Sequence, residues 1–230
     1  MQYVHTALIA VAEKKGISLQ GKCLGVIGVG NTGGRVAALA EHLGMKVLRN
    51  DPPKMAAAAD KTIYCSLEHL LENSDIITMH VPLDPTTRSM GNESFFSKIK
   101  PGAIFINASR GEVVCDGALL AKRGELSGLI LDVWNGEPDG ISRELVAAAD
   151  IATPHIAGYS LEGKINGTKM VVQALARHFG IAELYDLLTE SIDCETKAHK
   201  KFLDELIDAD DQFWEEGRAL RETAGDFPHL

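Results

Sequence analysis

The feature that most constrains the fold is a regular alternation of short apolar runs with helical segments between Leu24 and Thr153. β-rich runs that alternate with helices are typical of a parallel sheet with helices on both faces. The sequence therefore predicts an α/β fold built on a doubly wound parallel sheet with flanking helices. The predicted strands are Leu24–Val29, Val47–Asn50, Asp75–Val81, Ala103–Asn107, Leu129–Val133 and Ile151–Thr153.

Capping residues and glycines mark the ends of the helices between these strands. Two further helices, at Tyr3–Lys14 and Leu161–Phe179, flank the alternation on either side. From Ile181 onward, the spacing of the apolar residues predicts a tail of acidic amphipathic helices without strands. The helices predicted between strands are Thr32–Leu43, Leu67–Glu72, Glu93–Ile99, Gly117–Ala121 and Ser142–Ala148.

The charge balance and the cysteines limit which partners and which cellular location are expected for the protein. The net charge is −9, and residues 181–230 hold 14 acidic and 5 basic side chains, which accounts for all of it. No Lys/Arg cluster offsets the repulsion of a phosphate backbone, so no nucleic-acid partner is expected. No apolar run approaches the ~18 residues that a membrane span needs, so no membrane partner is expected. The four cysteines form no C-x-x-C pair and no secretory leader is recognised, which predicts a cytoplasmic location.

A glycine-rich motif, G-V-G-N-T-G, follows the first predicted strand and opens a helix. Gly28 permits a tight turn, Gly30 lets the backbone approach a pyrophosphate, and Gly33 lets the helix pack closely on the strand. Asn31 precedes and Thr32 begins the predicted helix, whose N-terminus would face the phosphates. The motif therefore predicts a dinucleotide site in a Rossmann-type fold, and a glycine-rich turn that binds nothing is the simpler alternative.

Asp51 ends the second predicted strand, 18 residues after Gly33. Its carboxylate would accept hydrogen bonds from the adenosine ribose hydroxyls and would repel the 2′-phosphate that distinguishes NADP. The neighbouring Arg49 and Lys54 would soften that exclusion unless they are merely solvated charges. The sequence therefore predicts NAD as the cofactor.

Polar side chains follow three other predicted strands, in the segments Asn107–Gly111, Asp132–Pro138 and Thr153–His155. Because the carboxyl ends of parallel strands line one crevice, these side chains can converge. Removing a hydride from an alcohol carbon requires a base for the hydroxyl proton, and a histidine suits that transfer in both directions. The segments therefore predict His155 as the base of a dehydrogenase.

Three other side chains in these segments have complementary predicted roles. Glu137 beside His155 would hold the imidazole in one tautomer, and Arg110 would bind a substrate carboxylate in a bidentate fork. Asp132, at a strand end, would orient the nicotinamide carboxamide. Taken singly, each has a simpler interpretation: a surface ion pair for Arg110, a turn residue for Glu137 and a solvent-facing loop for His155.

With these motifs in order, the sequence from about Gln20 to Gly180 resembles the D-isomer-specific 2-hydroxyacid dehydrogenases. The resemblance rests on the glycine motif, Asp51, His80-Val81-Pro82, Ser109-Arg110-Gly111, Asp132–Pro138 and Thr153-Pro154-His155. Within the family, Asp51–Pro53, Leu131–Pro138 and above all Thr153–Lys164 look like the members that oxidise 4-phospho-D-erythronate with NAD in the pyridoxine pathway.

The resemblance implies a small phosphorylated 2-hydroxy acid as substrate, a homodimer, and Arg110, Glu137 and His155 as catalytic residues. It also implies a substrate contact at Tyr159, for which a core tyrosine is the alternative. The implied NAD contacts are Asp51, Val81, Ala108, Ser109, Arg110, Asp132 and Gly158.

The sequence departs from the family pattern in its domain organisation. Family members carry a substrate-domain segment ahead of the part matched here and a C-terminal dimerisation domain with strands. We therefore expect an interdomain-type helix at 1–19, an NAD-binding domain at 20–160, a return helix at 161–180 and an acidic helical tail at 181–230. The chain is also a little shorter than the family between Val114 and Asp132, with Cys115 at an unusual position, so the helix there is expected to be brief.

Two alternatives to the phosphoerythronate reaction stay open. One is the oxidation of another 2-hydroxy acid, such as glyoxylate or phosphoglycerate. The other is a non-catalytic NAD-binding module whose helical tail mediates assembly. No metal site is predicted.

Overall fold

The computed structural model describes residues 2–159 and 161–184, so the helical tail predicted from residue 181 lies almost wholly outside the described residues. The strands are β1 (Cys23–Ile27), β2 (Lys46–Asn50), β3 (Ile76–Met79), β4 (Ile104–Asn107), β5 (Gly128–Leu131) and β6 (Ile151–Ala152). They form one parallel sheet in the order β2-β1-β3-β4-β5-β6. All six predicted strands are present, and their ends move by at most two residues.

The strand order places a topological switch point between β1 and β3. The chain first adds β2 on one side of β1 and then crosses to add β3 and the later strands on the other side. In open parallel sheets, ligands bind at the carboxyl ends of the strands beside such a point. The fold therefore predicts a ligand site at the loops that follow β1, β3 and the neighbouring strands.

The helices confirm the predicted alternation, with one addition. They are α1 (Gln2–Lys14), α2 (Asn31–His42), α3 (Pro52–Ala57), α4 (Leu67–Asn73), α5 (Glu93–Ser97), α6 (Asp116–Lys122), α7 (Arg143–Ala148) and α8 (Leu161–Phe179). The expectation of a brief helix at Gly117–Ala121 was too short: α6 spans seven residues, and a 3₁₀ turn follows it directly. None of the helices in the described part of the chain is long and apolar enough to cross a membrane.

Side-chain caps explain where several helices begin. Ser66, Asn92 and Ser142 each accept a hydrogen bond from the backbone N–H three residues later, at 3.1 to 3.2 Å. These bonds satisfy amide groups that have no partner within the helix. The helix that the sequence analysis missed, α3, is capped in the same way by Asp51 and has prolines in its first turn, where a proline is tolerated.

The described residues divide into two compact units. The first extends to Ala157 and holds α1 and the whole sheet. The second begins at Gly158 and holds α8. Within α8, Met170, Val171 and Phe179 are exposed.

The core of the first unit anchors the loops at the carboxyl ends of the strands. Phe95 and Phe96 of α5 pack edge-to-face on Phe105 of β4, with ring centroids 5.2 to 6.2 Å apart. Val113, after β4, and Trp134, after β5, are buried in the same apolar cluster. The loops after β4 and β5 are therefore fixed by core packing.

One partly buried histidine lies at the end of β3. The backbone N–H of His80 donates to the carbonyl of Ile27 at 2.7 Å, and its ring Nε2 lies 3.0 Å from Oγ1 of Thr78. Burial lowers the pKa of His80 to about 4, and the neighbouring His5 adds to this effect. Near neutral pH the folded protein therefore holds the imidazole of His80 in its neutral form at the end of β3.

The close approach of α4 to β1 gives a prediction about stability. A Cβ added at Gly25 would lie 2.4 Å from Oγ of Ser74 and 2.5 Å from Cδ2 of Leu70. We expect Gly25→Ala to lower the free energy of unfolding by about 1–3 kcal/mol, measured by urea denaturation. In the control Gly117→Ala, the added Cβ meets nothing within 4 Å, so stability should stay unchanged or rise by up to ~1 kcal/mol. Equal stabilities of the two variants would contradict the packing described for Gly25.

The partly buried His80 gives a prediction about pH. An unperturbed histidine titrates near pH ~6.5, so between that pH and about 4 the unfolded chain binds a proton that the folded chain does not. The contribution of His80 to stability is therefore complete above pH ~6.5 and is lost as the pH falls toward 4, by at most about 3 kcal/mol. Urea denaturation at several pH values should show a shallower dependence in His80→Asn. The control His69→Asn, which removes an exposed imidazole, should keep the wild-type slope; an unchanged slope in His80→Asn would contradict the prediction.

Candidate active site

The glycine loop between β1 and α2 has the geometry of a phosphate cradle. Gly28 has a φ of +84°, and a Cβ added there would lie 2.8 Å from the carbonyl carbon of His80. A Cβ at Gly33 would lie 2.0 Å from the carbonyl oxygen of Gly28. A Cβ at Gly30 meets nothing within 4 Å, so the backbone there faces open space at the start of α2. Tight packing on one side and free space on the other fit a bound pyrophosphate.

Asn31 and Thr32 form the exposed first residues of α2. The backbone N–H groups of a first helical turn have no partner within the helix. They are therefore available as hydrogen-bond donors to an anion at this end of α2.

Asp51 lies at the end of β2 and holds the glycine loop from the other side. Its Oδ2 accepts the backbone N–H of Val29 at 2.8 Å, and its Oδ1 accepts the N–H of Lys54 at 3.0 Å. The ammonium of Lys54 donates to the carbonyl of Val29 at 2.5 Å, and Arg49 pairs with Glu41 at 2.8 Å. Both nearby cations are therefore held by partners other than the carboxylate of Asp51.

The loop after β4 presents Arg110. The side chain of the buried Asn107 organises this loop: its Nδ2 donates to the carbonyl of Arg110 at 3.0 Å, and its Oδ1 accepts the N–H and the hydroxyl of Ser109. Ser109 is buried, Ala108 is half-buried and Arg110 is exposed. The guanidinium of Arg110 donates one bond, of 2.6 Å, to the carbonyl of Ser109.

Gly111 brings the loop after β4 against the loop after β5. A Cβ added at Gly111 would lie 2.0 Å from the carbonyl carbon of Trp134, and Nδ2 of Asn135 donates to the carbonyl of Val114 at 2.9 Å. The segments that carry Arg110 and Glu137 are therefore in direct backbone contact.

His155 and Glu137, from the loops after β6 and β5, form a close pair. Nδ1 of His155 lies 2.6 Å from Oε1 of Glu137, and the side chains are 39% and 26% exposed. The other carboxylate oxygen of Glu137 accepts the backbone N–H of Trp134 at 3.2 Å. His155 has a φ of +55°, which is uncommon outside glycine. Two groups 18 residues apart in the sequence thus meet at the strand tips.

Asp132, directly after β5, is fully buried. Its carboxylate accepts the hydroxyl of Thr153 at 2.6 Å and the backbone N–H groups of Ile156 and Ala157 at 2.8 Å each. Burial raises the pKa of the Asp132 carboxyl, and these hydrogen bonds oppose the rise. Its predicted contact with the nicotinamide stays a prediction.

The structure also places the three remaining residues that were predicted for the site. Val81 follows β3 beside His80 and packs partly buried against the core. Gly158 and Tyr159 belong to the second unit, where both are exposed. The described residues contain no group of His, Cys, Asp or Glu side chains that could hold a metal ion.

Sequence reasoning missed three side chains that support this edge of the sheet. The indole N–H of Trp134 donates to the carbonyl of Thr153 at 2.9 Å, and the phenol of Tyr3 lies 2.6 Å from Oγ1 of Thr153. Thr153 belongs to a motif that the sequence analysis used for His155 alone. No sequence signal connects Tyr3 to it.

Comparison with known proteins agrees with this geometry. The family model described as the D-isomer specific 2-hydroxyacid dehydrogenase, NAD binding domain, matches residues 3–157. A curated protein of Proteus mirabilis (strain HI4320), named erythronate-4-phosphate dehydrogenase, is 44% identical over 195 residues, which cover 82% of this chain and 52% of that protein. The chain thus spans about half the length of this relative.

Solved structures show the same fold. A D-lactate dehydrogenase from Aquifex aeolicus, complexed with NAD and lactic acid, is 34% identical, with a TM-score of 0.59, and the match covers 71% of this chain and 55% of that one. An NAD-complexed D-isomer specific 2-hydroxyacid dehydrogenase from Lactobacillus delbrueckii ssp. bulgaricus is 25% identical, with a TM-score of 0.65, over 77% of this chain and 65% of that one. This chain belongs to the D-isomer specific 2-hydroxyacid dehydrogenases and contains their NAD-binding domain.

Proposed function

We propose that this protein oxidises 4-phospho-D-erythronate to the corresponding 2-oxo acid with NAD, as a step of pyridoxine biosynthesis. The 2.6 Å contact between His155 and Glu137 is the observation that carries the dehydrogenase chemistry. The erythronate-4-phosphate dehydrogenase that is 44% identical supports this choice of substrate. Bound NAD supplies the hydride acceptor.

The pair of His155 and Glu137 explains the proton transfer. A carboxylate at Nδ1 keeps the ring proton on that nitrogen, so Nε2 carries a free lone pair. In the proposed reaction, Nε2 of His155 takes the proton of the substrate C2 hydroxyl as the hydride leaves C2. In the reverse direction, the same nitrogen returns the proton to the carbonyl oxygen.

Arg110 suits the substrate carboxylate. Its guanidinium has five N–H donors and gives one of them to Ser109, so a planar pair is left for a bidentate contact. Because its loop packs on the loop that carries Glu137, the carboxylate would be bound beside the base. We further propose that Tyr159 contacts the substrate.

The proposed NAD site is formed by the glycine loop together with polar and backbone groups at the strand tips. Its members are Gly28, Gly30, Asn31, Thr32, Gly33, Asp51, Val81, Ala108, Ser109, Asp132 and Gly158. The open space at Gly30 and the placement of Asp51 beside Val29 support this assignment.

We also propose a cytoplasmic homodimer with an NAD-binding domain at 20–160, which is preceded by an interdomain-type helix and followed by a return helix and an acidic tail. The exposed apolar side chains of α8, among them Met170 and Val171, support self-association. The free thiols of Cys23 and Cys65 support a reducing location.

The reaction is tested by NADH fluorescence with the full chain, NAD and 4-phospho-D-erythronate. We expect turnover that falls by about 100-fold or more in His155→Asn, because a general base contributes that much, while NAD binding is kept. The control His69→Asn, on α4 and exposed, should leave the rate unchanged.

Other outcomes of this assay discriminate the alternatives. Turnover with a different 2-hydroxy acid, and none with 4-phospho-D-erythronate, would refute the substrate. NAD binding without turnover on a panel of 2-hydroxy acids would favour a non-catalytic NAD-binding module.

The glycine loop gives a separate prediction about the cofactor. A methyl group at Gly30 would fill the space that the pyrophosphate needs, so Gly30→Ala should weaken NAD binding by about tenfold or more without loss of stability. Gly34→Ala is the matched control on the same helix, since its added Cβ makes ordinary contacts at 3.8 to 4.0 Å with Val29. Titration of intrinsic fluorescence with NAD measures both, and equal affinities would refute the proposed pyrophosphate position.

A further inference from the structure

A chain of hydrogen bonds connects the first helix to the buried carboxylate after β5. Oη of Tyr3, on α1, lies 2.6 Å from Oγ1 of Thr153, and Oγ1 of Thr153 donates to Oδ1 of Asp132 at 2.6 Å. Thr153 is 8% exposed and Asp132 is fully buried. The bond between Thr153 and Asp132 therefore lies away from solvent, where a lost partner is not replaced by water, and the bond from Tyr3 is part-buried.

The direction of this chain follows from the proton count. A threonine hydroxyl has a single proton, and that of Thr153 is given to Asp132. The phenol of Tyr3 must then be the donor to Thr153. Burial also raises the pKa of Tyr3 above its usual range, so the phenol keeps the proton that it donates.

The end of the chain holds the backbone of the loop that carries His155. The N–H groups of the next two residues, Ile156 and Ala157, both donate to the carboxylate of Asp132. The N–H of His155 itself donates to the backbone carbonyl of Asp132 at 2.7 Å. These bonds hold His155 at its positive φ. A residue with a side chain keeps such a conformation only where the surrounding structure enforces it.

The partner of His155 is anchored to the same group of residues. Trp134 donates its backbone N–H to Glu137 and its indole N–H to the carbonyl of Thr153. Thr153 is therefore the point at which the supports of the imidazole and of the carboxylate meet.

We propose that Tyr3 and Thr153 are positioning residues, which act through Asp132 to fix the imidazole of His155 for proton transfer. This makes α1 a support of the active site as well as a structural helix. The inference rests on the proposed function for the role of His155 as base. Its geometric part, the orientation of the pair of His155 and Glu137, is measurable without turnover.

The test uses the full chain with three substitutions at threonine. Thr153→Val removes the hydroxyl at nearly constant volume, and Thr153→Ser keeps it. We expect kcat to fall about tenfold or more in Thr153→Val, with KM for NAD within about twofold of the wild type, and near-complete rescue in Thr153→Ser. Thr62→Val is the matched control, since it removes a threonine hydroxyl that donates to Asp60 at an exposed turn, and its kinetics should equal those of the wild type.

Tyr3→Phe tests the far end of the chain. It keeps the ring and removes the donor, and because it acts through Thr153 we expect a smaller loss of kcat, about threefold. This variant also decides the question if Thr153→Val does not fold, as judged by circular dichroism. An unchanged kcat in Tyr3→Phe would then overturn the inference.

A spectroscopic readout separates positioning from activity. The hydrogen bond from Nδ1 of His155 to Glu137 should give a low-field imidazole N–H resonance in the proton NMR spectrum. We expect it in the wild type, in Thr153→Ser and in Thr62→Val, and we expect it broadened or moved in Thr153→Val. The resonance is assigned by its loss in Glu137→Gln.

The outcomes distinguish the two proposals. If the wild type turns over and Thr153→Val keeps both kcat and the resonance, the positioning role is refuted and the proposed function stands. If the wild type shows no turnover but the resonance is broadened or moved in Thr153→Val, the geometric part of the inference stands and the proposed function fails. Absence of the resonance from the wild type would overturn the inference.

Discussion

Asp132 places a fully buried carboxylate directly after β5, and a carboxylate removed from water must find its hydrogen bonds within the protein. The donors are the hydroxyl of Thr153 and the backbone N–H groups of Ile156 and Ala157. All three belong to the segment at the end of β6, so satisfying one charge fixes the path of that segment. His155 lies within it, at a positive φ that costs about 1–3 kcal/mol. The stability of this edge and the orientation of the candidate base thus depend on the same group.

A second carboxylate, that of Asp51 after β2, fixes a loop in the same way at the other end of the sheet. Asp51, after β2, accepts the N–H of Val29 in the glycine loop and caps α3 through the N–H of Lys54. Steric limits complete the arrangement, since Gly28 and Gly33 have no room for a Cβ whereas Gly30 faces open space. Each carboxylate therefore shapes a loop by accepting its backbone N–H groups, and the proposed cofactor site consists largely of backbone groups that Asp51 and the packed glycines hold in place.

The sequence was sufficient for the parts of this structure that have a local or periodic pattern. Strand runs such as Leu24–Val29 and caps such as Ser66 are local, and the parallel topology indicated that side chains after different strands, such as Glu137 and His155, can converge. The helix α3 was missed because its paired prolines resemble a turn and its cap, Asp51, had been assigned to the ribose. The bond from Tyr3 to Thr153 joins residues that are 150 positions apart and depends on how α1 packs on the sheet. No local sequence pattern predicts that packing.

The proposed reaction needs a base for proton transfer and a cation for the substrate carboxylate, and the first unit holds these two groups to different degrees. The contacts described for the pair of His155 and Glu137 come from β5, β6, their loops and α1, so this pair is held before any substrate arrives. The guanidinium of Arg110 is exposed and forms one hydrogen bond, to Ser109, so the proposed contacts with the substrate carboxylate would form only on binding. A preorganised base costs nothing to reorganise at the moment of proton transfer. Substrate preference can therefore change through groups around Arg110 without disturbing the base, as expected in a family with members named for lactate and for erythronate 4-phosphate.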